Sequence, residues 1–165
     1  VLNLFAYTCA FSVAALQAGA AEVVNVDMSR GAIATGQQNH QLNGLGAGAR
    51  FLAHDIFSSW GKITRSGPYD LVIVDPPSYQ KGSFVATKDY ARLMRRLPEL
   101  LMPGGHALLC LNAPELGMEF LREQMRTQAP SLAFVERVPN PAVFPDVDEA
   151  RSLKVLVFRD TAPVG

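Results

Sequence analysis

Apolar runs of strand length alternate along this chain with longer stretches of helical periodicity. This alternation is typical of repeated βαβ units, in which helices cover both faces of a parallel sheet. Two of the runs, Val23-Val24-Asn25-Val26 and Leu71-Val72-Ile73-Val74, are almost continuously apolar, as strands buried on both faces usually are. Because 165 residues is the size of one ordinary globular domain, we predict a single doubly wound α/β domain that spans residues 1–165.

The predicted sheet has seven strands, most of them parallel. They cover residues 1–5, 22–26, 50–53, 69–74, 106–111, 132–138 and 152–158. The predicted helices cover residues 11–18, 30–42, 87–101 and 118–128, with a short helical or irregular piece at 56–63. The last two strands are joined by residues 139–151, which hold three prolines and little helical pattern. That join predicts a hairpin with a long loop, so the last strand is expected to run antiparallel.

Composition excludes several classes of protein. The 15 basic and 15 acidic residues cancel, so any polyanion must bind to a local patch. Two cysteines, Cys9 and Cys110, are too few for a disulfide framework, and neither they nor the three histidines have the spacing of a metal site. No apolar run approaches the length of a membrane span. We therefore expect a soluble cytoplasmic protein without a metal or a membrane partner.

Candidate binding residues follow the second and third predicted strands. In an open parallel sheet, ligands bind beyond the carboxyl ends of the strands, where Asp27 and Asp55 fall. Asp27 can accept both hydroxyl protons of a ribose, and Asp55 can accept from an adenine amino group. Met28 and Ile56 would cover the two faces of the adenine ring, with Ser29 beside them. Each aspartate has an alternative role as a helix cap or turn residue.

The loop after the first strand distinguishes between adenosine-containing cofactors with and without a pyrophosphate. A pyrophosphate needs close approach of the backbone, which is why dinucleotide-binding loops carry glycines. Residues 5–11 contain no glycine, and no P-loop sequence occurs anywhere in the chain. S-adenosylmethionine has no phosphate, so Phe5, Ala6, Tyr7 and Thr8 are candidate residues of a site for that cofactor.

The segment Asp75-Pro76-Pro77-Ser78-Tyr79 follows the fourth strand and is the most specific signal. Proline fixes φ and has no N–H group, so backbone carbonyls here stay available as acceptors. An acidic side chain beside a free carbonyl can hold an amino group or a ring N–H, and Tyr79 can stack on a flat base. We therefore expect Asp75 to contact both cofactor and substrate, and Pro76, Pro77 and Tyr79 to orient a base. A stiff exit from a buried strand is the simpler alternative.

These motifs, in this order and spacing, closely resemble those of the large-subunit ribosomal RNA methyltransferases I and K. The resemblance rests on Val1–Thr8 with Phe11-Ser12, on Asp27-Met28-Ser29, on the helix end at 39–43, on Asp55-Ile56-Phe57 and on the Asp75–Tyr79 segment. Cys9 and Ala10 stand where that family usually has two glycines. The resemblance implies a class I, Rossmann-like methyltransferase fold and methyl transfer from S-adenosylmethionine to a base of ribosomal RNA. Because strand pattern begins at Val1, we also expect a domain upstream of this one.

The residues at the end of the fifth predicted strand, 106–111, indicate which atom of the base is methylated. Carbon-5 methylation of a pyrimidine needs a nucleophile, normally a cysteine thiolate. Family members with that chemistry carry Ser-Cys-Ser here, whereas this chain has Cys110-Leu111-Asn112, with Asn112 in the place of the cysteine. Cys110 lies in an apolar run and is assigned to the core. Nitrogen methylation needs only an oriented lone pair, so it is favoured over cytosine carbon-5 methylation.

RNA is the expected partner, and a group of basic side chains after the Pro-Pro motif is a candidate rim for it, with a solvated helix face as the alternative. The group consists of Lys81, Lys88, Arg92, Arg95 and Arg96.

The sequence leaves two other functions open: a cofactor-binding domain that lacks activity, suggested by Cys9-Ala10, and an NAD-linked oxidoreductase, suggested only by Asp27. We expect Phe57 and Trp60 to pack beneath the edge of the sheet. The sequence leaves the oligomeric state open.

Overall fold

The computed structural model describes residues 1–77, 79–80 and 84–163, with the backbone alone for Tyr79 and Gln80. Its strands are β1 (Leu2–Leu4), β2 (Val23–Asp27), β3 (Ala49–Ala53), β4 (Tyr69–Val74), β5 (Tyr79–Gln80), β6 (Phe84–Val85), β7 (Leu101–Leu111), β8 (Leu132–Val138) and β9 (Lys154–Asp160). Its helices are α1 (Ala10–Gln17), α2 (Arg30–Leu42), α3 (Trp60–Arg65), α4 (Ala86–Met94), α5 (Leu97–Leu100) and α6 (Met118–Gln128).

Seven strands form one sheet in the order β3-β2-β1-β4-β7-β9-β8. The first five of these run parallel to one another, and β9 runs antiparallel to both β7 and β8. The predicted doubly wound sheet with an antiparallel last strand is therefore confirmed. Chain order reverses beside β1, because β2 and β3 lie on one side of it and β4 and β7 on the other. This reversal opens a crevice at the carboxyl ends of the strands, where open α/β sheets bind their ligands.

The predicted helix 87–101 is two helices instead of one. Pro98 explains the break, because a proline inside a helix collides with the carbonyl group four residues earlier. That carbonyl belongs to Met94, the last residue of α4, and Pro98 lies in the first turn of the next helix, α5.

Strand β7 begins five residues before the predicted start at His106, and it includes the Pro103-Gly104-Gly105 segment. A Cβ atom on Gly105 would lie 2.9 Å from the Met102 carbonyl oxygen and 3.1 Å from that of Tyr69. Only glycine therefore allows β4 and β7 to approach here, and their pairing shifts register between Tyr69 and Leu71. The short antiparallel hairpin of β5 and β6 was also absent from the sequence prediction.

A chain of buried polar side chains joins the strands and helices beneath the crevice. Asn3 donates to Asn25 (Nδ2 to Oδ1, 2.9 Å), and Asn25 donates to Ser12 (Nδ2 to Oγ, 2.9 Å). Ser12 Oγ lies 2.8 Å from His40 Nε2, and His40 Nδ1 lies 2.7 Å from the Gly36 carbonyl oxygen. A carbonyl oxygen only accepts, so Nδ1 carries the proton and Ser12 donates to Nε2. This network fixes α1 and α2 on β1 and β2, and it gives His40 a structural role.

Candidate cofactor and substrate site

A cavity of about 700 Å³ lies at the carboxyl ends of the parallel strands. Its walls come from the segments that follow β1, β2, β3, β4 and β7 and from the residue before β9. The lining residues are Phe5, Tyr7, Asp27, Met28, Ser29, Asp55, Ile56, Phe57, Asp75, Pro76, Pro77, Asn112 and Leu153. Three of these are carboxylates, and none of the described lining residues is Lys, Arg or His. The cavity therefore favours a positively charged ligand over a pyrophosphate.

Asp27 joins the first loop to the end of β2. Its Oδ2 atom accepts the backbone N–H of Tyr7 at 2.9 Å, and its Oδ1 atom accepts that of Ser29 at 2.8 Å. Ser29 in turn caps α2 by accepting the Ala32 N–H at 3.2 Å. Asp27 thus shapes the wall of the cavity, and the lone pairs that remain on its two oxygens can accept further protons.

The loop between β1 and α1 has an unusual backbone. Phe5, Tyr7 and Cys9 have φ values of 56°, 48° and 61°, in the left-handed region that glycine usually occupies. Two side-chain contacts hold this loop, one from Asp27 to Tyr7 and one from Asn39, whose Nδ2 atom donates to the Thr8 carbonyl oxygen at 2.9 Å. The conformation expected of a glycine loop is thus formed without glycine.

Cys9 and Ala10, which replace the two expected glycines, do not line the cavity. The Cys9 side chain is fully buried and packs toward Gly36 of α2. Burial and the nearby Asp27 carboxylate raise the pKa of the Cys9 thiol to about 12, so the thiol stays protonated.

The wall after β3 combines an acceptor with apolar surface. Asp55 Oδ1 accepts the Ser58 N–H at 2.8 Å, so the turn role considered for Asp55 is present in the structure. Ile56 is buried and Met28 is half exposed, and both border the cavity. Phe57 also borders it, although the sequence analysis placed this residue beneath the sheet edge. Its ring packs edge-to-face on Trp60 and lies 3.9 Å below the Arg92 guanidinium carbon.

The wall after β4 contains Asp75, Pro76 and Pro77. Val74 of β4 pairs with Leu109 of β7, so Asp75 lies beside Cys110 of the neighbouring strand. Burial raises the pKa of Asp75, and the neighbouring Cys110 opposes that rise. Asn112 lies two residues beyond Cys110 and lines the same cavity. The Tyr79 side chain lies outside the described residues.

Most of the predicted site residues lie in this one cavity. Ala6 and Thr8 do not reach its wall: Ala6 packs with Cys9 and Ile33, and Thr8 is held through its carbonyl group. Sequence reasoning missed Leu153, which comes from the long loop before β9. No local pattern marks Leu153, because only the antiparallel direction of β9 brings its start to this end of the sheet.

The basic side chains near the cavity are partly engaged. Arg92 lies over Phe57 and pairs with Asp89 at 2.9 Å, while Arg96 lies over Trp60, 5.4 Å from its ring centroid, and pairs with Glu99. Arg95 donates to Gln128 on α6. Lys88 is exposed, and Lys81 lies outside the described residues.

Within the described part of the chain, no group of three His, Cys, Asp or Glu side chains is arranged to hold a metal ion. None of its helices combines the length and the apolar character that crossing a membrane requires.

Comparison with known proteins agrees with this site. The model of the family described as S-adenosylmethionine-dependent methyltransferase matches residues 1–159. The chain belongs to this family, whose cofactor is S-adenosylmethionine. This result removes the NAD-linked oxidoreductase considered from the sequence.

Individual relatives are similar over parts of their length. The chain is 38% identical over 110 residues to ribosomal RNA large subunit methyltransferase I of Aeromonas hydrophila, and 40% identical over 113 residues to ribosomal RNA large subunit methyltransferase K/L of Psychrobacter cryohalolentis. Each match covers 64% of this chain, but 28% and 14% of those proteins. A crystal structure described as a methyltransferase complexed with S-adenosylhomocysteine superposes on 96% of this chain and 44% of its own, with a TM-score of 0.85 and 30% identity.

Proposed function

We propose that this domain transfers the methyl group of S-adenosylmethionine to a nitrogen atom of a base in large-subunit ribosomal RNA. One observation carries the proposal: the Asp75-Pro76-Pro77 segment shares a single cavity with Asp27 and Asp55. A base held by the first group would then face a cofactor held by the other two.

The residues of the cavity fit this cofactor. A volume of about 700 Å³ lies within the usual range of small-molecule sites. Asp27 and Asp55 provide acceptors for ribose hydroxyls and an adenine amino group, and Met28, Ile56 and Phe57 provide apolar surface for the ring. When bound, S-adenosylmethionine supplies an electrophilic methyl group on a positively charged sulfur, which suits a cavity lined by three carboxylates.

The other residues of the cavity would hold the base. Asp75 would accept an N–H of the base and orient the nitrogen lone pair, with Pro76 and Pro77 keeping this wall rigid. Asn112 can donate and accept at a second edge of the base. Tyr79 is proposed to stack on the base. Alignment of this kind supplies a large part of the rate in a transfer that needs no covalent intermediate with the protein.

Burial of Cys110 supports nitrogen over carbon-5 methylation. The Cys110 side chain is 3% exposed and does not line the cavity, and burial raises the pKa of its thiol to about 12. A nucleophile must reach the base as a thiolate, which this thiol cannot do in the described conformation. Asn112 does line the cavity, but its side-chain amide is not a nucleophile.

The ribosomal RNA substrate is suggested by the relatives, which are named for it. This chain spans only a small part of them, so segments of those proteins outside the matched region are available to bind RNA there. In this chain Lys88 and the exposed part of Arg92 follow the Pro-Pro motif, and they are the proposed rim for the phosphate backbone.

Mass spectrometry of large-subunit ribosomal RNA nucleosides, from cells with and without the gene, tests this proposal. We expect one nitrogen-methylated nucleoside to disappear in cells without the gene. Loss of a carbon-5-methylated cytidine would overturn the nitrogen assignment, and unchanged RNA would overturn the substrate. Cofactor binding without methyl transfer to any RNA would indicate the inactive binding domain instead.

Variants at the Pro-Pro motif test the division of the cavity. Asp75→Ala should lower single-turnover methylation far more than it lowers affinity for S-adenosylhomocysteine, because orientation of the base is lost. Tyr79→Ala should weaken RNA affinity by about 1–3 kcal/mol if the ring stacks on a base. Turnover at the level of the unmodified enzyme in Asp75→Ala would show that the motif is only a rigid strand exit.

A further inference from the structure

We propose that Leu153 is a substrate-binding residue, whose side chain packs against the target base inside the cavity. The inference rests on the proposed function, in which Asp75 and Asn112 hold that base. Leu153 belongs to the long loop before β9, and no sequence pattern marked it as part of the site.

The order of the strands places Leu153 on the substrate side of the cavity. The cofactor residues Asp27 and Asp55 belong to the ends of β2 and β3, on one side of β1. Asp75 and Asn112 follow β4 and β7, on the other side of β1. Strand β9 is the next strand outward from β7, so the residue that precedes β9 lies on the side of Asp75 and Asn112.

Leu153 and Asn112 are neighbours in the wall of the cavity. β7 and β9 pair antiparallel with Leu111 opposite Lys154, so Asn112 and Leu153 are the next residues outward on the two strands. Both line the cavity, and Leu153 is 37% exposed. Asn112 therefore offers polar atoms and Leu153 offers apolar surface at the same place. A nucleic-acid base, with polar edges and apolar faces, fits this pair of side chains.

The residue before Leu153 anchors the backbone to β8. Ser152 is buried, and its hydroxyl group donates to the Glu149 carbonyl oxygen at 2.8 Å. The Nη2 atom of Arg137, on β8, donates to Ser152 Oγ at 3.0 Å and to the Glu149 carbonyl oxygen at 2.8 Å. These contacts fasten the end of the long loop to the sheet.

The residue after Leu153 anchors the backbone to the segment that follows β7. Lys154 is fully buried, and its Nζ atom donates to the carbonyl oxygen of Ala113 at 2.9 Å. Ala113 directly follows Asn112, so one hydrogen bond joins the segments that carry both wall residues. The backbone of Leu153 is thus fixed on both sides before a ligand binds. Less conformational freedom is then lost on binding, which strengthens the contact with a ligand.

The first test compares Leu153→Ala, which removes most of the apolar surface, with Leu153→Met, which keeps the volume. Single-turnover methylation is measured at low concentrations of large-subunit ribosomal RNA from cells that lack the gene. In Leu153→Ala we expect a rate about tenfold lower, because apolar contact with the base is lost, while affinity for S-adenosylhomocysteine stays unchanged. Leu153→Met should restore the rate. Val143→Ala, at an exposed position of the same loop that does not line the cavity, should keep the rate of the unmodified enzyme.

Two outcomes of this comparison would overturn the inference. Equal rates in Leu153→Ala and in the unmodified enzyme would mean that the side chain does not contact the base. Weaker binding of S-adenosylhomocysteine to Leu153→Ala would place the leucine against the cofactor instead.

A second measurement does not depend on methylation. Protein labelled at the leucine methyl carbons is saturated with S-adenosylhomocysteine, so that the adenosine site is filled, and is then titrated with each of the four nucleoside 5′-monophosphates. Leu153→Met assigns the Leu153 methyl signals by their absence. We expect these signals to shift with at least one nucleotide, because the ring current of a base displaces the resonance of a methyl group packed on it. The signals of Leu42, which is exposed on α2, should not shift.

The NMR result separates this inference from the proposed function. Leu153 signals that stay in place with all four nucleotides would overturn the contact, whether or not RNA is methylated. If the signals shift and no RNA is methylated, the proposed function fails and the contact of Leu153 with a base stands.

Discussion

The Sγ atom of Cys9 lies 2.5 Å from the point where a Cβ atom on residue 36 would lie. Glycine at position 36 is therefore what allows a side chain at position 9, where the resembling family usually has glycine. Cys9 has a left-handed backbone with φ 61° and directs its side chain at α2, away from the cavity. The space that the Cys9 side chain needs is thus provided by the absence of a side chain at Gly36 on α2.

We predict that Gly36→Ala destabilises the protein, although alanine is the better helix former. Overpacking typically costs about 1–3 kcal/mol, which exceeds the gain of about 1 kcal/mol in helix propensity. Cys9→Gly should suppress the effect, so a double-mutant cycle measured by urea unfolding should give a coupling energy clearly different from zero. Gly31→Ala is the matched control on the same helix, because the Cβ atom would meet only Ser29 Oγ at 4.0 Å, and it should be neutral or stabilising. Additive effects at positions 9 and 36 would contradict this interlock.

The fold was largely predictable because periodicity and strand composition are local signals. The bounds of α2 and α6 agree with the predicted ones, and Ser29 caps the start of α2. The errors arose where a distant contact decides the conformation. The predicted strand began only at His106, but in the fold β7 already passes close to β4 at Gly105.

Asp27→Ala should weaken both the cofactor site and the loop beside it. The variant leaves the N–H groups of Tyr7 and Ser29 without their acceptor, which costs about 1–3 kcal/mol of unfolding free energy. Affinity for S-adenosylhomocysteine, measured by calorimetry, should fall by about 1.5–3 kcal/mol, the range of a hydrogen bond to a charged group. Asp70 lies near the start of β4, at the end of the strand far from the cavity. Asp70→Ala should therefore change neither the stability nor the affinity appreciably. Lowered stability with unchanged affinity would mean that Asp27 only shapes the loop.

The site was predictable to the extent that strand ends mark it. Residues at or just beyond the end of a strand, such as Asp27, Asp55 and Asp75, lie in the cavity as their positions indicated. The proximity of Asp75 and Cys110 was not visible, because it depends on the register between two strands far apart in the chain. A buried cysteine in an apolar run looks the same in sequence whether or not a carboxylate lies beside it.

Both cysteines should be unreactive in the folded protein. Burial raises the pKa of Cys9 and of Cys110 to about 12, so almost no thiolate exists near neutral pH. A thiol reagent such as Ellman's reagent should label both only after unfolding, and Val135→Cys, at a position that is 48% exposed, should label at once. Rapid labelling of Cys110 in the native protein would make a nucleophilic role possible again.

The raised pKa values of Cys9 and Cys110 also determine how these two thiols affect the stability of the protein at high pH. A thiol whose pKa is raised on folding contributes stability below its ordinary pKa of 9.0, and this contribution is lost as pH rises toward about 12. The unfolding free energy of Cys9→Ala should therefore fall less between about pH 9 and 11 than that of the unmodified protein. Equal losses in the two proteins would show that Cys9 ionises as easily in the fold as in the unfolded chain.

Lys154 should give the opposite dependence on pH. Its side chain is fully buried at the start of β9, and its Nζ atom donates to the Ala113 carbonyl oxygen at 2.9 Å. Burial lowers the pKa of this amine, with Arg137 and Arg151 acting in the same direction and Glu115 and Asp146 opposing. Between the lowered pKa and the ordinary value of 10.5 the unfolded chain binds the extra proton, so the lysine contributes more stability as pH rises.

Lys154→Met isolates this effect, because methionine fills similar space without an ionisable group. The unfolding free energy of the unmodified protein minus that of Lys154→Met should increase with pH in that window, with a slope of at most about 1.4 kcal/mol per pH unit. Taking this difference cancels the contributions of the cysteines and tyrosines that titrate in the same range. A difference that stays flat with pH would mean that the Lys154 amine remains charged in the fold and that its hydrogen bond to Ala113 offsets the loss of water.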